Sequence, residues 1–501
     1  MKRIQLLILA TVVSGLLSCS DSLNVDPLDQ LTASTFPQTD ADAIAAVNGV
    51  YYINRYSTSY AYLIDLTSDL TTTGENINGA AAFLNNQNWT PSNSYIVNVW
   101  GYFYSAITDA NLLIDNLEKN TTVTPSLRDR ITGEAKFLRA YYYQYLVQLY
   151  GEVPLVLHKG ENDEGGTIKR DEIDEIFGQI EADLIDAAAK LPHTAAYSGS
   201  DRGRATWGAA KSLLAKIYLV WGQISPTLNE TQRKELYNKS VVASTEVINS
   251  NDYQLEEAYS QNWSLENRNG KENIFAGQHA LFQGTDGSGD NHLSHCAFSS
   301  GFTNVKLPHV VVADKQYSDE YDPLDQRKGI TYADSIYDDV NQVWFQFDVP
   351  RYLKYINPID PNGSASYRNI DRTAIRLAEV YLLRAEAINE RDHAPNATAY
   401  DDLNTVRRRA FINTPDPAAY DITAENIHLA SPYHSPLHPS FDGAGEYEKF
   451  KDAIRWERKF ELTYEQTRWL DLARWRILVR TLRESPNVDK HNVSAKNYRF
   501  P

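Results

Sequence analysis

The sequence predicts a mostly α fold, in which helices pair into a right-handed superhelical scaffold with long inserted loops and little β structure. Three observations carry this. Apolar residues recur at three- and four-residue steps over much of the chain. Small alanines alternate with rings or leucines along those stripes, and the segments between them are long and polar. In chain order, EAKFLRAYYYQYLVQLY (134–150) sets Ala135, Leu138, Tyr142, Tyr145 and Leu149 on one stripe. Gly151 follows as a C-terminal cap, and Pro154 stops propagation. The next helix starts at Asp171 with acidic residues in its first turn and ends before Pro192. Residues 203–222 put Ala210, Leu213, Ile217 and Trp221 on one face, and 233–250 supply the partner helix. Residues 374–390 turn at HAPNA and return as 398–410.

Ala378, Tyr381 and Ala385 let two helices approach closely, with a ring filling the gap. A helix, a short turn and a helix within about 34 residues is the tetratricopeptide period. The pairs are therefore read as degenerate, tetratricopeptide-like repeats over about 40–250 and 373–411, with insertions at about 71–95 and 251–372. No linker rich in Pro, Gly and Ser divides the chain, so residues 19–501 are expected to form one domain.

The N-terminus carries its own chemistry. Lys2 and Arg3 precede an apolar run from Ile4 to Leu17, too short to span a hydrocarbon core, so residues 1–18 read as an export signal. Leu16-Leu17-Ser18-Cys19 has the layout of a bacterial lipobox, in which Cys19 is acylated and becomes the mature N-terminus. Each buried acyl methylene contributes about 0.8 kcal/mol, so several chains on one cysteine hold a globular body on a membrane. The other cysteine, Cys296, has no partner, so no disulfide framework is expected.

The net charge is −17, which argues against nucleic acid and against electrostatic attachment to anionic lipid. Tyrosine outnumbers phenylalanine by 32 to 16, so many rings carry a polar tip suited to binding surfaces as well as cores.

Several stretches together resemble the SusD/RagB family, the surface nutrient-binding lipoproteins of Bacteroidota. They are WGYFYSAITDANLLIDNL (100–117), EAKFLRAYYYQYLVQLYGEVPLV (134–156), RATWGAAKSLLAKIYLVWG (204–222), YDPLDQRKG (321–329), RLAEVYLLRAEAIN (376–389), LNTVRRRA (403–410) and IRWERKFELTYEQTRWLDLARW (454–475). They occur in the family's order. The family's proteins typically end in a Phe-Pro-Ile-Pro-like stretch that would extend this chain's NYRFP. The resemblance implies a role without catalysis: capping a SusC-like TonB-dependent barrel of the outer membrane, capturing an oligosaccharide, and passing it on. In the RagB branch the cargo is a peptide.

Sugars offer apolar C–H faces and a rim of hydroxyls, so a site needs ring planes beside fixed amides or charges. Residues 71–95 form a long segment with six asparagines and the rings Phe83, Trp89 and Tyr95, without helical spacing. The family's corresponding loop supplies stacking aromatics and an asparagine, which carries over to Trp89 and Asn93; Phe83, Tyr95 and Asn78 join them as candidates. In NQVWFQFDVPRYLKY, Trp344, Phe345 and Phe347 alternate as in a strand, making Trp344 a candidate wall of the site. Tyr141 to Tyr143 are read as repeat core, and Arg327 as an ion-pair partner.

Other chemistries find little support. Asp286, Ser288, Asp290 and Asn291 resemble the start of a calcium loop, but Ala297 stands where a bidentate glutamate would close it. His292, His295 and Cys296 lack a second metal-binding pair. No metal or cofactor is expected. Glu457 and Glu461 have glycosidase-like spacing on a helix, but Arg455, Arg458 and Arg468 flank them as in an ion-paired helix. A plain tetratricopeptide adaptor for other proteins is the remaining alternative; against it, the aromatic and amide-rich segments lie outside the repeats.

Overall fold

The computed structural model describes residues 36–52, 57–74, 79–158, 168–197, 199–279, 311–338, 342–355, 370–427, 445–485 and 487–499. The lipobox with Cys19, together with Asn78, Cys296, the calcium-like run and His292 and His295, lies outside them. In chain order, the first helices are α1 (Asp40–Tyr52), α2 (Ser57–Asp65), α3 (Ala80–Asn85), α4 (Ser94–Glu118) and α5 (Pro125–Tyr150). Then come α6 (Ile173–Lys190), α7 (Trp207–Ile224), α8 (Glu230–Asn249), α9 (Lys315–Asp319) and α10 (Arg327–Thr331). The last are α11 (Leu377–Asp392), α12 (Ala397–Ala410), α13 (Glu446–Leu462), α14 (Arg468–Arg474) and α15 (Leu478–Glu484). The molecule is mostly helical, as expected. No helix among the described residues is long and apolar enough to cross a membrane.

Each helix start follows from local chemistry. Thr206 begins α7 by accepting the Ala209 N–H on its hydroxyl. Asn229 and Gln232 form a reciprocal capping box on α8, and on α6 the Glu175 carboxylate accepts the Glu172 N–H at 3.3 Å. Gly151 ends α5 at φ +83°, a conformation glycine adopts without a Cβ penalty. Consecutive helices α4 to α8 pack side by side, and α11 packs on α8, so the late helical block joins the early one.

The seams between helices are pinned by polar groups. On α5, Tyr141, Tyr142 and Tyr143 are buried, as expected. Their rings fill the seam, and the Tyr142 hydroxyl donates to the Val50 carbonyl at 2.9 Å. Arg139 reaches Asp183 on α6 through two bonds of 2.8 and 2.7 Å, and Asn111 on α4 at 2.8 Å. Between α11 and α12, Arg384 grips Asp402 in the same bidentate way.

Strand structure is confined to three two-stranded antiparallel pairs among the described residues. They are β1 (Thr71–Thr72) with β3 (Val312–Ala313), β2 (Asn273–Gly277) with β6 (Arg372–Arg376), and β4 (Tyr332–Asp338) with β5 (Val343–Tyr352). The alternation read in 344–347 is realised in β5, where Trp344 pairs with Tyr337. One expectation is corrected. Residues 71–95 are not an irregular loop, because Ala80–Asn85 form α3 and Ser94 already begins α4.

Candidate functional site

The segment carrying the predicted rings grows from a rigid base. In the turn after α2, Asp69 holds Arg468 of α14 through bonds of 2.8 and 2.7 Å. Burial raises the Asp69 carboxyl, but the Arg468 guanidinium overrides it and brings the group down to about 2. Lys490 reaches the Leu66 carbonyl from the C-terminal segment. Burial pushes its ammonium down to about 7, against the pull of Asp69 and Asp314. From this base β1 leaves and pairs with β3, Thr71 opposite Ala313. The Tyr352 hydroxyl at the end of β5 donates to the Leu70 carbonyl at 2.7 Å. Both candidate segments, 79–95 and the antiparallel β4–β5 pair, are therefore stitched to one junction.

The predicted residues divide at this point. Phe83 is 52% exposed on the outer side of α3, and Trp344 is 61% exposed on β5. Trp344 stands roughly 26 Å along the strand from the Tyr352 anchor at the usual strand rise. Trp89 is half-buried and packs on the core, as does Tyr95, whose ring meets Tyr62 edge-on with centroids 5.0 Å apart. Asn93 departs from expectation. It is buried, its Oδ1 accepts from the Tyr95 N–H at 3.1 Å, and its Nδ2 donates to the Ala80 carbonyl at 2.9 Å. Its amide therefore caps α4 and ties it to α3, which leaves little to offer a ligand. The sequence signal for this was present: an asparagine directly before the stripe Ile96, Val99, Phe103.

Gln87 is the residue that sequence reasoning missed in this segment. At φ +55° it turns inward, and its buried amide donates to Leu84 O at 3.2 Å. It closes the turn that projects Phe83.

The carboxylates that glycosidase spacing had flagged are fully enclosed. Glu461 meets Arg376 at 2.5 Å, Arg327 at 2.9 Å, and Arg409. Burial would raise its carboxyl, and the three guanidiniums instead hold it well below the ordinary range. Glu457 pairs with Arg327 at 2.6 Å and Arg407 at 3.1 Å. Both carboxylates are buried in ion pairs with guanidiniums rather than presented to a cleft. Arg327 is the ion-pair partner expected of it.

The arrangement is a helical scaffold that presents rings on a stitched pair of segments and keeps its charged constellation inside. A model described as the SusD family matches residues 269–500, and one described as starch-binding and associating with the outer membrane matches residues 28–219. SusD-like protein P25 of Formosa agariphila is 26% identical, over 96% of this chain and 91% of that one. The starch-binding protein SusD of Bacteroides thetaiotaomicron is 24% identical, over 80% of this chain and 82% of its own. A solved SusD homologue from the same organism superposes with a TM-score of 0.73 at 20% identity, covering 94% of this chain and 95% of that one, a likeness of fold. The chain belongs to the SusD family.

Proposed function

We propose that this protein is a cell-surface lipoprotein of the outer membrane that captures an oligosaccharide or polysaccharide and delivers it to a SusC-like, TonB-dependent barrel. Cys19 is its acylation site. The observation that carries the binding role is the pair of exposed rings, Phe83 and Trp344, on segments anchored to one junction. A large exposed ring on an anchored segment suits the C–H face of a sugar. Trp89 and Tyr95 line the same segment with part of each ring accessible. Asn78 would add an amide, and Asn93 positions the segment. Binding without catalysis fits the burial of Glu457 and Glu461. The family relationship supports a glycan as cargo, since a related protein is named for starch binding.

The test is affinity electrophoresis and calorimetry of the chain from residue 20 onward against neutral polysaccharides, with wild type, Phe83→Ala and Trp344→Ala. Retardation by one polysaccharide, weakened at least tenfold in either variant, supports the reading. Binding that is indifferent to both variants removes the rings from the site. Binding to peptides and to no sugar moves the cargo to the RagB class. Co-purification of Phe83→Ala with the barrel as efficiently as wild type is expected, because the ring serves the ligand.

A further inference from the structure

A cavity lies toward the opposite end of α5 from Tyr95. It is about 770 Å³, between the turn before α7 (residues 194–206) and the stretch 252–276 that leads into β2. Arg204 in its wall pairs with Glu134 on α5, whereas the Tyr150 hydroxyl at the other end of that helix bonds the Ile96 carbonyl beside Tyr95. Sixteen residues of helix separate these contacts, roughly 24 Å at the α-helical rise.

The wall is built from amides. Asn269 Nδ2 donates to Gln278 Oε1 at 2.8 Å, and Gln278 Nε2 returns a bond to Asn269 Oδ1 at 3.0 Å. Asn273 adds a 3.3 Å bond to the same oxygen. Two glycines allow this packing. A Cβ on Gly203, at φ +89°, would lie 2.5 Å from the Gln278 amide, and one on Gly270 would lie 2.3 Å from the Asn267 amide. Each primary amide has two N–H groups and two lone pairs, so Asn269 keeps an N–H to offer.

Charge is distributed unevenly around the cavity. Its carboxylates are engaged: Asp252 meets His193 at 2.6 Å, and Glu256 accepts from Asn267 Nδ2 and from the Lys271 backbone N–H, both at 2.9 Å. Arg204 is neutralised by Glu134 and Asp201. Arg202 and Lys271, which also line the cavity, are exposed and form no ion pair among the described residues. In a chain of net charge −17, these two cations lie open beside an amide wall.

We propose that this cavity is a second ligand site, taking a sugar that carries a carboxylate or a sulfate ester. Arg202 and Lys271 receive the anionic group, and Asn269 bonds a hydroxyl. The inference rests on the glycan reading for the kind of molecule, not on the rings of the first site. Occupation of both sites by one polymer would raise avidity without any new contact.

The test measures affinity for polygalacturonate (carboxylate), carrageenan (sulfate ester) and starch (neutral) at low salt. It compares wild type with Arg202→Gln/Lys271→Gln, with Ala195→Trp, which fills the mouth from an exposed position, and with Phe83→Ala/Trp344→Ala. At least one acidic polymer is expected to bind wild type and to lose tenfold or more in the glutamine pair and in Ala195→Trp, with a shallower salt dependence in the glutamine pair. Which acidic polymer binds identifies the anionic group. The inference is overturned if no acidic polymer binds, or if one binds the glutamine pair as tightly as wild type. Starch or acidic binding lost only in the Phe83/Trp344 variant belongs to the first site. Acidic binding lost only in the cavity variants leaves this inference standing even if the rings prove idle.

Discussion

Along α5, buried polarity is carried mainly by tyrosine hydroxyls; where α13 meets β6, α10 and α12, it is carried by formal charges. On α5, Tyr142 donates to the Val50 carbonyl and Tyr143 to that of Val156, both at 2.9 Å, and the Tyr141 and Tyr145 hydroxyls meet at 3.4 Å. Burial pushes the ionisation of Tyr142 and Tyr143 far up, so these two stay neutral at any ordinary pH. At the junction, Arg327, Arg376, Arg407, Arg409 and Lys354 face Asp325, Glu272, Glu457, Glu461 and Glu465, five cations against five carboxylates. A neutral seam loses one hydrogen bond when a partner is removed. A charged one is left with an uncompensated ion in low dielectric. The comparison teaches that the junction, not the tyrosine-rich helix, fixes how distant segments of the chain meet, and that it does so with the larger penalty for error.

The sharpest way to break this contrast is Glu461→Gln. It leaves Arg376, Arg327 and Arg409 converging on a neutral amide, and a loss of about 3–5 kcal/mol is expected in urea unfolding. Tyr142→Phe removes only a hydroxyl and should lose about 1 kcal/mol. Equal losses for the two variants would end the distinction.

A pH experiment sharpens the contrast at the base of the ring-bearing segment. Burial pushes the Asp65 carboxyl up to about 7 from 3.8, against a 3.3 Å bond from Gln466 Nε2. The folded chain keeps a proton that the unfolded chain has released. The group's stabilisation is therefore full below pH 3.8 and is lost as pH rises through 7. Asp69 has the opposite sign: held down at about 2, it stabilises above 3.8 and its contribution disappears as pH falls through 2. Asp65→Asn should match wild type near pH 3.5 and exceed it at pH 8 by on the order of 2–4 kcal/mol. Urea midpoints that shift in parallel at both pH values would contradict the assignment.

The helices were legible because burial writes a 3.6-residue stripe that any window of a dozen residues displays. Arg327 was legible as an ion-pair partner because acidic residues surround it in sequence. The Asp69–Arg468 bond was not, since its partners lie 399 residues apart and neither neighbourhood marks the other. The pairing of Thr71 with Ala313 was hidden for the same reason, as two-residue strands carry no period. Helix α3 escaped because AAAFLN is under two turns long and sits among asparagines, residues that ordinarily punctuate loops. Asn93 looks like a ligand amide while its segment lacks helical spacing; with α4 beginning at Ser94, the same residue is the helix cap.

That reassignment sets the smallest and most discriminating pair of predictions. Asn93→Ala removes the cap and the tie to Ala80, and should lose about 0.5–2 kcal/mol. It should also weaken glycan binding, but only by letting the segment move. Asn93→Ser restores an acceptor for the α4 N-terminus and should recover part of both losses. Phe83→Ala is expected to change stability by less than about 0.5 kcal/mol, because the residue is 52% exposed and belongs to no core cluster. Its effect should fall on affinity alone. Measuring melting and binding on the same samples separates the two roles. If Phe83→Ala destabilises as much as Asn93→Ala, the ring belongs to the core of the segment. If Asn93→Ser fails to recover affinity while recovering stability, the amide itself touches the ligand.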